Sequence, residues 1–439
     1  MIPAVSLWKI TLIQYQVKPK LEKNRKSLAI PLCLIGILPF LASCGPSTAR
    51  EINWSRETKL TATAPEGVEQ KPIEPRWALN EVDESYPAQV KQLSGSKFNS
   101  FPAHSGEVTA LEVSKAGREA FTGGADGRVL RHQLIESTAG KVLVVSTELA
   151  RSSREILSLS LSPDGSKLAV GQYSSVSLID LSDSSIYSRM TRFKGRVTTM
   201  SWDWQQEFLM FGLSSARVYS WGLGSWNGNA ENSLRALSQY RGLASGVVSL
   251  VTHPDQEIFF GADRTGNILV WRLIRTEEDL GLRVRDELDS SERISDSARR
   301  VTKLPLEISH FSIERSGENL FAVTNDGIYR PWKMKGLVPR PKTIIANDAL
   351  QAFTELTAGS KPLLAVATRE QRIKIFCASS KDSDLDTQSA KLAAISPTFV
   401  DSFSEIKSAE EAPVLWAVQK TGSVLSLELE PSLGRNVCP

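Results

Sequence analysis

The sequence predicts an all-β fold built from seven repeated units, and three observations carry that reading. A pattern of three strand-like apolar runs recurs seven times between residues 88 and 430. Turn signals such as Asp126-Gly127 and Ser162-Pro163-Asp164-Gly165 punctuate the runs, as tight hairpins require. An anchor position near the end of each unit returns at His132, Ile179, Trp221, Trp271, Trp332, Phe376 and Leu427. The spacings run from 42 to 61 residues, close to the roughly 40–45 of four-stranded repeats once loop insertions are allowed.

Composition is consistent with this. Of 439 residues, 41% are hydrophobic and 23% charged, values of a globular chain and not of a disordered or polytopic membrane one. The single membrane-directed stretch is Ser27 to Ser43. It follows the basic cluster Lys23, Arg25 and Lys26, is interrupted by Pro31 and Pro39, and at about 17 residues is short for a spanning helix. A basic flank, a short apolar core and small residues at its end describe a secretory signal over residues 1–43. About 22 residues precede the basic cluster, long for such a signal. A true start further along, at Val17 or Leu21, would account for them.

The segment from Gly45 to about Pro87 is polar and rich in proline, with no sustained apolar period. It reads as a tether over residues 44–87, reaching about 35 Å. The repeats occupy 88–430, and 431–439 form a tail. Removing residues 1–43 takes six of the 52 Lys/Arg and one of the 49 acids, leaving 46 bases against 48 acids, a net of −2. The basic balance of the whole chain thus belongs to its leader, and a nucleic-acid partner is not expected.

The first unit is the clearest. Val108, Leu111 and Val113 begin one strand, Ala120 and Phe121 a second, Val129 and Leu130 a third, with Gly117 and Asp126-Gly127 at the turns. Further copies are Ile156 to Leu181, Val197 to Leu223, Val247 to Leu273, Ile308 to Met334, Phe353 to Ala378 and Phe399 to Leu429. Seven such units suffice to close a ring without exposed sheet edges. After Leu427 about a dozen residues remain, including Pro431 and Gly434, too poor a strand to complete the last unit. Ala88 to Phe101 is expected to supply that strand from the other end of the chain.

These units resemble WD repeats over residues 88–430, which implies a seven-bladed β-propeller. In that family a His, a Ser/Thr, a turn Asp and a Trp form a buried hydrogen-bonded set. His104, Thr122 and Asp126 match it in the first unit, where His132 replaces the Trp. Trp271 lacks an upstream His, and Asp326 with Trp332 is a partial set. Leu41-Ala42-Ser43-Cys44-Gly45 in turn resembles the bacterial lipobox. The resemblance implies a diacylglycerol on the Cys44 sulfur, cleavage after Ser43 and acylation of the new amino terminus. An ordinary signal peptide, or an uncleaved anchor with a chance cysteine, is the alternative. Gly45 after the cysteine implies outer-membrane delivery, facing the periplasm, in a host with two membranes.

With Cys33 lost and Cys44 acylated, Cys377 and Cys438 remain. They either form a disulfide in an oxidising compartment, or stay a buried thiol and a reduced tail cysteine.

Motifs of catalysis and metal binding are weak. His104, His132, His253 and His310 fall in four separate units, without the spacing of zinc ligands. Ser94-Gly95-Ser96-Lys97 has only the loose Ser-x-x-Lys form. Asp382, Asp384 and Asp386 alternate as in a calcium loop, but Thr387 and Ala393 occupy the positions of the turn Gly and the bidentate Glu. No cofactor and no metal is expected. Two long insertions, Thr276 to Arg300 and Ser225 to Tyr240, are candidate recognition loops. The expected function is a lipid-anchored protein–protein interaction platform in the bacterial cell envelope, assisting assembly of envelope or outer-membrane complexes. The alternative is a propeller hydrolase or dehydrogenase with its site at the central channel, marked by acids or histidines converging on the innermost strands.

Overall fold

Val108–Val113, Glu119–Gly124, Arg128–Glu136 and Val142–Arg151 pair in chain order as one antiparallel sheet. The same meander follows at 158–190, 197–240, 247–303, 308–344 and 350–395, and its first three strands at 403–428. This computed structural model describes residues 91–93, 98–136, 142–191, 193–223, 237–273, 299–304, 306–314, 316–335, 338–339, 342–345, 350–358, 361–377 and 387–430. All belong to the unit Ile52–Pro439.

The first strand of each sheet touches the first strand of the next, and the seventh touches the first, so the seven sheets close into a propeller. The physical reason lies in the second strands. Phe208–Leu213 and Val414–Gln419 are buried at all six positions, so their sheets must cover both faces with apolar partners. Accordingly the hydrophobic core consists of seven clusters, one at each seam between neighbouring blades. Anchor positions are equivalent throughout. His132, Ile179, Trp221, Trp271, Trp332, Phe376 and Leu427 pair with Ala120, Leu168, Leu209, Phe259, Leu320, Leu364 and Leu415 respectively. Each is buried.

Ring closure differs in one respect from the expectation for Ala88 to Phe101. Only Phe98–Pro102 completes the seventh blade, pairing antiparallel with Ser423–Glu428 in the register Phe98↔Leu427. Lys91–Gln92 instead pairs parallel with Lys391–Ile395 on the sixth blade. Five residues are enough to cover the six-residue edge, so the chain before them is available to a second edge.

Turns between second and third strands fold back on the connections between blades. Gly127 shows why glycine is needed there. Its φ is 76°, and a Cβ would come within 2.1 Å of the Ser152 carbonyl oxygen. Residues 1–90, with the expected signal, Cys44 and tether, and the tail 431–439 lie outside the described residues.

Candidate functional site

The structure brings His104, Thr122 and Asp126 together. His104 Nδ1 lies 2.9 Å from Asp126 Oδ1, and its Nε2 lies 2.8 Å from Thr122 Oγ1. The chain of contacts continues through His132. Thr122 Oγ1 is 2.8 Å from His132 Nε2, and His132 Nδ1 is 2.8 Å from Ser146 Oγ. Burial pushes the His132 imidazolium down to about 3, and burial likewise lowers His104 against the opposing pull of Asp126. Both rings are therefore neutral near pH 7. One proton arrangement satisfies every contact. Ser146 donates to His132, His132 to Thr122, Thr122 to His104, and His104 to Asp126. Burial would raise Asp126, but hydrogen bonds from His104 and from the Arg128 and Ser105 amides hold it below the usual carboxylate range. Such a one-way chain polarises itself and fixes the blade's geometry.

Trp271 and Trp332 sit apart, one at each of two other seams. Trp271 Nε1 donates to the Arg241 carbonyl at 3.2 Å, and its ring stacks on Phe259 at 5.2 Å. The fourth blade instead uses Asp263, which the repeat pattern did not single out. Its carboxylate accepts from the Ala244, Thr265 and Asn267 amides at 2.8, 2.9 and 3.0 Å. It does the work of Asp126 from a position three residues before the turn glycine instead of one. That offset hides it from a repeat alignment.

The innermost strands repeat one burial pattern. In Val197–Trp202, Val247–Thr252, Ile308–Ile313 and Phe403–Ser408 the first and fourth residues are buried, and most of the others are half-exposed toward the ring axis. Hydroxyls at those positions stitch neighbouring blades. Thr198 donates to the Val247 carbonyl at 2.6 Å, Thr252 to Trp202 at 2.6 Å and Ser249 to Phe311 at 2.8 Å.

From the fifth blade round to the first, ionisable groups take over this lining. Lys407 Nζ lies 2.7 Å from Glu112 Oε1 and 3.6 Å from Glu405 Oε1. The Leu111 amide donates to Glu405 Oε2 at 2.9 Å. Burial works against the Lys407 charge, but Glu112 and Glu405 outweigh it and hold the ammonium protonated. Burial pushes Glu405 upward. These side chains nevertheless keep 19–33% exposure. They are thus partly desolvated and partly open to solvent on the innermost strands. Burial, and Glu314 nearby, push Glu355 up to about 8, opposed by a hydrogen bond from Tyr329 at 3.3 Å. Burial pushes His310 down to about 4. Ionisable residues at inner-strand positions that carry Ser or Thr in other blades were the signal available in the sequence.

Cys377 ends the third strand of the sixth blade and is disulfide-bonded. Its partner, Cys438 in the expectation above, lies outside the described residues, as do Cys44, residues 94–97, 224–236, 274–298 and 381–386. Among the described residues no group of three or more His, Cys, Asp or Glu is placed to hold a metal ion.

Comparison with known proteins points to the same blade as the buried relay. Residues 95–130 match the WD domain, G-beta repeat. This WD repeat spans His104, Thr122 and Asp126. A chain from the "Crystal Structure of Mitotic Checkpoint Complex" superposes with a TM-score of 0.57, covering 81% of this chain and 98% of that one at 12% identity. It is one of 1811 matching chains among solved structures, so the likeness establishes the propeller fold and singles out no activity. No curated protein matches.

Proposed function

We propose that this protein is a lipid-anchored protein–protein interaction platform in a bacterial cell envelope, assisting the assembly of envelope or outer-membrane complexes. The observation that carries the reading is a closed propeller with a WD repeat, a fold that typically scaffolds protein contacts. Its turns and interblade connections are hydrogen-bonded to one another at one end of the ring. Two features support the envelope. Leu41-Ala42-Ser43-Cys44-Gly45 precedes the tether, and a disulfide at Cys377 suits an oxidising compartment. Acyl chains on Cys44 would anchor the chain firmly, each buried methylene contributing about 0.8 kcal/mol.

The test is fractionation with acyl labelling of wild type and Cys44→Ser, followed by in-cell cross-linking. Wild type should carry label, reside in the outer membrane and cross-link to envelope proteins, and the variant should become soluble. Membrane retention of Cys44→Ser by the wild-type route would sink the anchor.

A second reading, an enzyme acting at the channel, draws on the convergence of Glu112, Glu405, Lys407, His310 and Glu355. It requires turnover of an ester, glycoside or redox substrate that Glu355→Gln abolishes.

A further inference from the structure

One end face of the ring carries charge unevenly. There the turns of blades two to four meet the connections between blades. Ser174 N donates to Gly195 O at 2.8 Å, Ser214 N to Arg196 O at 3.0 Å and Arg264 N to Gly246 O at 3.1 Å. These contacts bring Arg154, Tyr173, Lys194, Arg196, Arg217 and Arg241 onto a single face, all exposed. Tyr173 is 49% exposed. Its carbonyl accepts from Arg154 Nη1 at 3.2 Å, and its backbone bridges to Arg196. A large aromatic side chain thus shares one spot with two arginines.

Acids are sparse along this arc. Glu155 pairs with Arg196 at 2.8 Å, Glu307 pairs with Arg264 at 3.5 Å, and the buried Asp263 is taken up by the Ala244, Thr265 and Asn267 amides. Lys194, Arg217 and Arg241 have no ion-pair partner among the described residues. An arc of unneutralised cations raises the local concentration of anionic partners and orients them. Tyrosine and arginine, with tryptophan, are enriched among the side chains that dominate binding at protein interfaces.

We propose that this face of blades two to four docks an acidic segment of a partner protein, whose carboxylates meet Lys194, Arg217 and Arg241 while Tyr173 packs against an apolar side chain of that segment. The proposal rests on the platform reading and adds the chemistry of the partner. A polypeptide fits better than an anionic lipid surface because Glu155, with 36% of its side chain exposed, stands inside the arc. A uniform phosphate layer would meet that carboxylate, whereas a segment can leave its counterpart position uncharged.

The experiment uses the full-length protein in detergent micelles with three probes. These are a fluorescent Asp/Glu-rich peptide bearing one Trp, the same peptide with Asn/Gln in place of the acids, and vesicles of phosphatidylglycerol and phosphatidylethanolamine. The acidic peptide should bind at least about tenfold more tightly than its neutral counterpart and weaken with salt. Arg217→Glu/Arg241→Glu should cost about tenfold and flatten the salt dependence, and Lys194→Glu should act in the same direction. Tyr173→Ala should weaken binding with the salt dependence unchanged, and Lys115→Glu, on the opposite face, should have no effect. Thermal melts of these exposed-site variants should match wild type. Equal binding of both peptides, acidic-peptide binding untouched by the charge reversals, or capture by vesicles alone would each overturn the proposal. Envelope partners cross-linked elsewhere on the ring would then leave the platform reading standing.

Discussion

Lys407 and Glu112 are 295 residues apart in the chain, yet Lys407 Nζ and Glu112 Oε1 lie 2.7 Å apart across the seam between the seventh blade and the first. That seam joins the two ends of the repeat array. Placing an ion pair there ties the innermost strands of the closing blade to the opening one. Lys407→Met should leave Glu112 and Glu405 side by side without a counter-charge. Solvent screening moderates the penalty, since the lysine side chain is 32% exposed, so a loss of about 1–2 kcal/mol is expected in urea melts at pH 7. An unchanged midpoint would show that the seam does not depend on this pair.

Glu355 sets a pH dependence with a definite sign. Its folded carboxyl is pushed up to about 8 by burial, so the neutral form is the one the fold favours. Its contribution is complete below the ordinary glutamate value and is lost as pH rises through about 8. Wild type should therefore lose stability between about pH 5 and 8 relative to Glu355→Gln, measured as parallel denaturant titrations. Superimposable pH profiles would count against a half-buried, neutral Glu355.

Thr122 is the centre of the relay in the first blade, accepting from His132 and donating to His104. Thr122→Val keeps the shape and leaves both facing histidine nitrogens unpaired in the interior. A destabilisation of about 2–3 kcal/mol is expected. Thr122→Ser, which retains the hydroxyl, should recover most of it.

Phe98 closes the ring from the N-terminal side. It is 5% exposed, meets Phe399 edge-on at 5.3 Å and pairs with Leu427. Phe98→Ala should cost about 3–4 kcal/mol, and deleting Phe98–Pro102 should expose the edge of Ser423–Glu428 and promote aggregation. Deleting residues 45–75 should leave the melting temperature unchanged. If all three proteins melt alike, closure does not run through Phe98–Pro102.

Cys377 is disulfide-bonded, and Cys438 is proposed as its partner. Alkylation of the unfolded, unreduced mature protein should then modify no thiol in wild type and one in Cys438→Ser. A loop of about 60 residues closed this way contributes roughly 4 kcal/mol in the chain-entropy account. Two modified thiols in wild type would exclude the pairing.

Local sequence determined the parts of this protein that depend on neighbours along the chain. Alternation of apolar residues, Asp126-Gly127 and the returning anchor from His132 to Leu427 specify strands, turns and unit count, because a strand buried on both faces has one way to repeat. His104, Thr122 and Asp126 were legible for the same reason, lying within 22 residues of each other. Tertiary structure alone decided what depends on closure. Closure of the last unit from the N-terminal side, in which Phe98 meets Leu427, was legible in the poor strand after Leu427, whereas Lys407 meets Glu112 and Lys91–Gln92 crosses to the sixth blade only once seven seams have curved the sheets into a ring. The same curvature turns Glu355, His310 and Glu405 toward a common axis and gathers Arg154, Tyr173 and Arg217 on one face. The inner-strand positions of Glu355, His310 and Glu405 are visible in a repeat alignment, but which side chains meet is set by the angle between blades and not by the residues between them.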